Sequence, residues 1–138
     1  MTFVYMLDTN MVSYIVKGRS RVARDKMLNL REDEQCCISA VTEAEIRYGL
    51  SLRPEATALR VLMLEFFSNV DILPWGSEEA AAYGTIRARL KKIGRTLGSM
   101  DLMIAAHAAA SNAVLVTNDN TFQQVDEIGA TVNWATDL

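Results

Sequence analysis

Residues 3 to 10 read Phe-Val-Tyr-Met-Leu-Asp-Thr-Asn, five apolar or aromatic residues followed by an acid, a hydroxyl and an amide. The run is too short for a helix and does not alternate, so it predicts a strand of a parallel sheet, covered on both faces. Asp8 follows at the carboxyl end of that strand, where ligands bind in open α/β sheets. The alternative is that Asp8, Thr9 and Asn10 only form a turn, with Asn10 capping the next helix.

The composition is that of one globular domain. The chain has 138 residues, of which 50% are hydrophobic and 22% charged, and this balance excludes a disordered protein. We therefore expect a single domain over residues 1–138. No apolar run approaches the length of a membrane span and no signal peptide is recognisable, so we expect a cytoplasmic protein.

Cysteine and histidine are too scarce to build a zinc site. Cys36 and Cys37 are adjacent, and neighbouring cysteines seldom reach the geometry of an unstrained disulfide, so they are expected to be reduced core residues. His107 is the only histidine in the chain. Any metal site in this protein must therefore use oxygen ligands.

The net charge of −3 conceals an uneven distribution of basic residues. Of fourteen Lys and Arg, six lie within residues 17–31, five lie within residues 87–95, and none follows Arg95. Such clusters bind phosphates even on an acidic protein. The alternative for either cluster is an ordinary solvated helix face.

Strand-like and helical segments alternate along the chain. Strands are predicted over residues 3–7, 36–40, 70–73, 113–117 and 130–133. Helices are predicted over residues 11–16, 20–30, 41–53, 55–67, 77–93 and 100–111, with a short one at 122–125. This alternation implies right-handed crossovers and an α/β fold, in which a mostly parallel sheet of four or five strands is flanked by helices.

Four acids are expected at one edge of that sheet. Asp8 and Asp119 each follow a buried strand, while Glu45 and Asp101 lie near the starts of helices. In a parallel sheet, the carboxyl ends of strands and the N-termini of the following helices share one edge. Taken singly, each acid has a purely structural explanation: Thr42 and Glu45 match a capping box, and the aspartates suit a first helical turn or a turn.

Together the four acids favour a metal site. Carboxylates massed in one place oppose one another's ionisation unless a cation lies among them. Oxygen ligands without His or Cys select Mg²⁺ or Mn²⁺. Such an ion makes hydroxide available near neutral pH and offsets charge on a phosphodiester. The sequence therefore predicts a metal-dependent nuclease.

Four segments, taken in order, resemble the PIN-domain ribonucleases and most closely the VapC-type toxins of type II toxin–antitoxin modules. The segments are Met6-Leu-Asp-Thr-Asn10, Ser39-Ala-Val-Thr-Glu-Ala-Glu-Ile-Arg-Tyr-Gly49, Gly98-Ser-Met-Asp-Leu-Met-Ile-Ala105 and Leu115-Val-Thr-Asn-Asp119. The resemblance extends over essentially the whole chain. It implies a single PIN-like domain with the sheet described above.

The resemblance also implies roles for individual residues. The positions that match the metal-binding catalytic acids are Asp8, Glu45, Asp101 and Asp119. Gly49 follows Glu45 by four residues, and this spacing selects Glu45 over Glu43. The fourth position varies between Asp and Asn in the family, and Asp119 is its best match. Residues that would support the acids and the metal-bound water are Thr9, Asn10, Thr117 and Asn118.

Further implications concern the substrate and the partners. The resemblance implies cleavage of RNA by attack of water, with transfer RNA as the first candidate substrate and messenger RNA as the second. It also implies growth inhibition, a homodimer, a cognate VapB-type antitoxin that covers the active-site groove, and contact with DNA only through that antitoxin. The basic residues that could hold RNA phosphates are Arg87, Arg89, Lys91, Lys92 and Arg95.

Other functions fit these residues less well than a nuclease does. An aspartyl-phosphate phosphotransferase would need a second Asp where the chain has Asn10, or a Lys beyond Lys92, and neither is present. A catalytically inactive PIN-like module that only binds RNA or protein stays open, although the four intact acids argue against it. His107 lies six residues after Asp101, and packing is a better explanation for it than general-base catalysis.

Overall fold

Five strands form one parallel sheet. The structure is a computed structural model that describes residues 2–138. The strands are β1 (Phe3–Leu7), β2 (Glu34–Ser39), β3 (Asp71–Leu73), β4 (Val114–Val116) and β5 (Thr131–Val132). They pair in the order β3-β2-β1-β4-β5, and every pair is parallel. The expected α/β fold with a parallel sheet is confirmed, with β1 at its centre.

Helices connect the strands and cover both faces of the sheet. They are α1 (Thr9–Val16), α2 (Arg21–Leu28), α3 (Ala40–Leu52), α4 (Thr57–Ser68), α5 (Ser77–Lys92) and α6 (Ser99–Ala110), with a 3₁₀ turn at Asn120–Gln124. Within residues 2–138 no helix has both the length and the apolar character that crossing a membrane requires.

The two faces of β1 belong to two separate cores. Met6 packs with Ile86 of α5 and Ile104 of α6, while Leu7 packs with Ile46 of α3 and Met63 of α4. Successive side chains of a strand point to opposite faces, so adjacent apolar residues are what a strand between two helical layers requires. Only the carboxyl half of β1 is enclosed in this way, since Phe3 at its start is 43% exposed.

The vicinal cysteines are buried, free thiols in β2. Cys37 is 2% exposed, and Cys36 is partly buried on the other face of the strand. Burial raises the pKa of both thiols to about 12. Neither is therefore a reactive thiolate at neutral pH, as expected for core residues.

The structure differs from the sequence-based boundaries mainly at helix starts. The helix α1 begins at Thr9 rather than at residue 11, because Asp8 is its N-cap and accepts a 2.8 Å hydrogen bond from the N–H of Met11. The helix α3 begins at Ala40 with Ser39 as N-cap, so the capping box considered at Thr42 does not form there. Glu45 consequently lies in the second turn of α3, where it is not needed to cap the helix.

Candidate active site

Asp8 lies at the end of the central strand and is held on both carboxylate oxygens. Its Oδ1 accepts the N–H of Met11, and its Oδ2 accepts the hydroxyl of Thr117 at 2.6 Å. Asp8 is only 5% exposed. Burial raises its pKa to about 6, the two hydrogen bonds act in the opposite direction, and the nearby charges of Asp101 and Asp119 raise it further.

Asp119 follows β4, the neighbouring strand, and is connected to Asp8 through Thr117. The Thr117 hydroxyl accepts a 3.0 Å hydrogen bond from the N–H of Asp119 while it donates to Asp8. Oδ1 of Asp119 also accepts hydrogen bonds from the N–H and hydroxyl of Thr121, at 2.9 and 2.8 Å. Asp119 thus forms the turn that was considered for it, and it also lies beside Asp8.

Glu45 and Asp101 approach the same edge from two helices. The hydroxyl of Thr9 in α1 donates to Oε1 of Glu45 in α3 at 2.6 Å, and it also lies 3.2 Å from the hydroxyl of Thr42. Asp101 lies in the first turn of α6. Burial raises the pKa of Asp101, and the charges of Glu45 and Asp119 raise it further. The charges of Asp101 and Asp119 thus act on Asp8, and those of Glu45 and Asp119 act on Asp101, so we call these four acids the acidic edge.

In the part of the chain that the structure describes, no Lys or Arg forms an ion pair with the acidic edge. The ion pairs among residues 2–138 involve other acids, and none includes Asp8, Glu45, Asp101 or Asp119. Buried or partly buried carboxylates without a cationic partner are unusual in a protein that has fourteen Lys and Arg. A cation bound from solution would therefore stabilise the charged form of these carboxylates.

The donor set fits a hard divalent cation. All four side chains offer carboxylate oxygens, with threonine hydroxyls beside them, and Mg²⁺ and Mn²⁺ prefer such ligands. Within the described part of the chain, no three His, Cys, Asp or Glu side chains lie close enough together to hold a metal ion directly. Mg²⁺ does not need such a cluster, because it keeps several of its own waters and takes only one or two carboxylates directly.

Two of the four predicted supporting residues contact the acids. Thr9 and Thr117 hold Glu45 and Asp8, as described above. Asn10 is exposed in the first turn of α1, and the side-chain oxygen of Asn118 accepts a 2.9 Å hydrogen bond from Asn133. The side chains that support the acids therefore carry hydroxyls, not amides.

Ser39 and His107 join the helices that carry Glu45 and Asp101, and this link was not predicted. The Oγ of Ser39 caps α3 by accepting the N–H of Val41, and it lies 2.7 Å from Nδ1 of His107 in α6. His107 is 1% exposed, and burial lowers its pKa. The predicted packing role of His107 is consistent with this position. A serine directly before a helix was the signal available in the sequence.

The basic residues of α5 divide into two groups. Arg87, Lys91 and Arg95 line a cavity of about 260 Å³ that extends to Ser99 at the start of α6. Arg89 instead binds Glu127 through two hydrogen bonds of 2.7 and 2.8 Å. Lys92 is exposed and does not line that cavity. Positive charge next to the helix that carries Asp101 is thus provided by three of the five candidates.

Comparisons with known proteins agree with this architecture. The PIN domain family matches residues 5–128. The chain is 35% identical over 132 residues to "Ribonuclease VapC2" of Haemophilus influenzae, covering 94% of this chain and 97% of that protein. It is 32% identical over 133 residues to "tRNA(fMet)-specific endonuclease VapC" of Shigella flexneri, covering 95% of this chain and 98% of that one.

A solved structure is similar over the same extent. The crystal structure of VapBC2 from Rickettsia felis, bound to a DNA fragment from its promoter, contains a chain that superposes with a TM-score of 0.89 at 30% sequence identity. The superposition covers 96% of this chain and 99% of that one. The DNA-bound VapBC of Salmonella typhimurium gives a TM-score of 0.87, also at 30% identity.

Proposed function

The chain belongs to the PIN-domain family, and on that premise we propose that it hydrolyses RNA with a Mg²⁺ or Mn²⁺ ion bound by Asp8, Glu45, Asp101 and Asp119. It is a VapC-type toxin endoribonuclease of a VapBC toxin–antitoxin module. The observation that supports the metal is the acidic edge itself, where other acids of the set raise the pKa of Asp8 and of Asp101, and none of the four pairs with a Lys or Arg among residues 2–138.

The protein residues hold and orient the groups that the reaction needs. A bound divalent ion supplies an activated water near neutral pH and offsets charge on the phosphate. Thr117 and the Met11 N–H fix the orientation of Asp8, and Thr9 fixes that of Glu45. Direct attack of water on phosphorus breaks the bond to O3′ and leaves a 3′-hydroxyl and a 5′-phosphate.

Transfer RNA is the proposed substrate. Two relatives, at 32% and 35% identity, are named tRNA(fMet)-specific endonucleases, which supports this choice over messenger RNA. Arg87, Lys91 and Arg95 are proposed to bind phosphates of the RNA near Asp101, since they line one cavity beside the start of α6. Arg89 is left out of this set because Glu127 already pairs with it.

The cognate VapB-type antitoxin is the protein partner, as in the VapBC complexes to which the chain is similar. We propose that one segment of the antitoxin covers the active-site groove, and that another docks on an apolar groove of about 580 Å³ between α2 and α4. Leu28 and Leu62, which are 68% and 48% exposed, line this groove together with Met27 and Phe66. Apolar side chains exposed in one groove are typical of a protein-binding surface.

The remaining expectations are proposals as well. Contact with DNA is proposed to pass through the antitoxin, as the promoter-bound complexes of relatives suggest. A homodimer is proposed for the toxin, and light scattering of the purified chain measures it directly. A cytoplasmic location is proposed because RNA and antitoxin are encountered there.

The proposed function is tested by cleavage of purified initiator tRNA. We expect cleavage with Mg²⁺ or Mn²⁺, none with EDTA, and 3′-hydroxyl and 5′-phosphate ends. D8N, E45Q and D101N should each lose activity by about a hundredfold or more. E43Q is the matched control, because Glu43 lies in the same helix as Glu45 but pairs with Arg47 at 2.8 Å. Its activity should stay within about twofold of the original.

Metal binding is tested separately by thermal unfolding. Mn²⁺ should raise the melting temperature of the original protein and of E43Q, and D8N should remove that rise. RNA binding without cleavage under every metal condition would instead support the inactive binding module. Cleavage that persists in EDTA or in D8N would contradict the metal mechanism.

A further inference from the structure

A second cavity opens beside Glu45. It has a volume of about 320 Å³, and Thr9 and Glu45 of the acidic edge form part of its wall. That volume lies at the lower end of the range for ligand pockets, roughly 300–1,000 Å³. The cavity is thus large enough for one small unit of a substrate that also reaches the acids.

The walls of this cavity combine positive charge with apolar surface. Lys17 at the end of α1 and Arg53 at the end of α3 supply the charge. Neither forms an ion pair with an acid among the residues that the structure describes. The apolar part of the wall consists of Ile46, Leu50, Leu52, Leu59 and Met63. An anion with an attached apolar ring would find a complementary surface here.

Gly49 adds an independent observation. It lies inside α3, one turn after Glu45, and it lines the cavity. Glycine in a helix interior is less favourable than alanine. The fold does not require glycine here, because its φ is not positive and an added Cβ would meet no atom within 4 Å. Gly84 of α5 shares these properties, but only Gly49 lies in the wall of the cavity that contains Glu45, where the missing side chain leaves open space.

From these observations we propose that this cavity binds the nucleotide adjacent to the scissile phosphate. Its phosphate contacts Lys17 and Arg53, and its sugar and base lie over Gly49 against the apolar wall. This inference rests on the proposed function, since it takes the acidic edge as the place of cleavage. Alternating anionic and ring-shaped apolar groups are what single-stranded RNA offers, and proteins bind it with matching surfaces. The cavity therefore positions the substrate and does not take part in the chemistry.

The first test fills the space above Gly49. G49L should raise the KM for tRNA by about tenfold and leave kcat within about twofold, because its side chain occupies the space proposed for the nucleotide. Gly84 provides the matched control, since it lies in α5, meets nothing within 4 Å, and does not line this cavity. G84L makes the same chemical change in a helix and should leave the KM unchanged.

The second test removes the charges. K17Q/R53Q should raise KM by about tenfold and reduce the slope of log KM against log salt concentration by about 1. K26Q is the control, because Lys26 is a lysine of α2 that lines a different cavity. K26Q changes the net charge by one, and it should leave the KM and its salt slope unchanged. Wild-type KM and salt slope in both G49L and K17Q/R53Q would overturn the proposal.

Binding without catalysis separates this inference from the proposed function. A fluorescent single-stranded 12-nucleotide RNA is titrated into the metal-free protein in EDTA. Weaker binding by G49L and by K17Q/R53Q, with G84L and K26Q unchanged, supports the nucleotide site even if the wild type does not cleave tRNA. Equal binding by all five proteins overturns it, even if cleavage occurs as proposed.

Discussion

The hydroxyl of Thr117 donates to Oδ2 of Asp8 at 2.6 Å and accepts the N–H of Asp119 at 3.0 Å. One side chain thus joins the acid after β1 to the acid after β4. The hydrogen bond lowers the pKa of Asp8 and so opposes the effect of burial, which raises that pKa to about 6. Thr117 therefore keeps a buried carboxylate available in its charged form.

Removing that hydroxyl should weaken metal binding. In T117V the pKa of Asp8 rises further, so more of the carboxylate is protonated at pH 6.5 and the half-saturating Mg²⁺ concentration for cleavage increases by about tenfold. The deficit should shrink at pH 8, where the carboxylate ionises. T117S keeps the hydroxyl and is the control. A half-saturating concentration that is the same in T117V, T117S and wild type at both pH values would contradict this role.

Asp8 should destabilise the metal-free protein at neutral pH. Its pKa is about 6 in the folded state against an ordinary value of 3.8, so the folded state holds the proton more tightly. The stabilisation from this protonation is complete below about pH 4 and is lost as pH rises through 6. The loss amounts to at most about 3 kcal/mol. Urea unfolding in EDTA at pH 4.5 and pH 7.5 measures it.

D8N removes the titrating group and isolates its effect. The free energy of unfolding of D8N minus that of wild type should be larger at pH 7.5 than at pH 4.5. D25N, at an exposed acid of α2, is the control for the change from Asp to Asn. A stability difference between D8N and wild type that does not vary with pH would show that Asp8 does not titrate in this range.

His107 should contribute to stability and not to catalysis. Burial lowers its pKa below the ordinary 6.5, so its stabilising neutral form is fully populated above that pH and is lost as pH falls. H107A should lose about 2–3 kcal/mol of stability, because it leaves a cavity and removes the contact with Ser39. H107N retains a polar partner for Ser39 and should lose less.

Cleavage assays decide between the two roles of His107. At equal concentrations of folded protein, H107N and H107A should cleave tRNA within about threefold of wild type. A loss of a hundredfold in folded H107N would instead identify His107 as a proton-transfer group.

The groove between α2 and α4 should be necessary for antitoxin binding. L62D places a charge among apolar side chains, so it should weaken binding of the co-purified cognate antitoxin by at least about tenfold and leave tRNA cleavage unchanged. V61D is the matched control, because Val61 precedes Leu62 in α4, is 64% exposed, and does not line the groove. Titration calorimetry measures the affinity of each variant for the antitoxin. Equal affinity for L62D and V61D would exclude this groove as the docking site.

The sheet and the position of the acids were predictable because they depend on short-range patterns. Apolar runs such as residues 3–7 and 113–117 indicate the strands, and an acid directly after a strand must lie at its carboxyl end. The start of α3 was less predictable, because both Ser39 and Thr42 are acceptable N-caps. The local preference for Ser over Thr as an N-cap is small, and the contact of Ser39 with His107, 68 residues later, is a tertiary contact that the local sequence does not show.

The roles of the basic residues depended on tertiary contacts. Arg87, Arg89 and Lys91 alternate along α5, and a helix places successive alternate positions about 200° apart. Arg89 therefore faces another direction, toward Glu127, which lies 38 residues away in the sequence. Similarly, the cavity beside Gly49 is formed by parts of α1, α3 and α4, so a helical glycine alone did not indicate it.

The strand order also determines when, during synthesis of the chain, the four acids can come together. Asp119 reaches Asp8 only after β4 pairs with β1, and these strands are separated by more than a hundred residues of intervening chain. A nascent polypeptide that has emerged only as far as α5 therefore lacks both Asp101 and Asp119. If these acids bind the metal as proposed, the toxin acquires nuclease activity only when its translation is nearly complete.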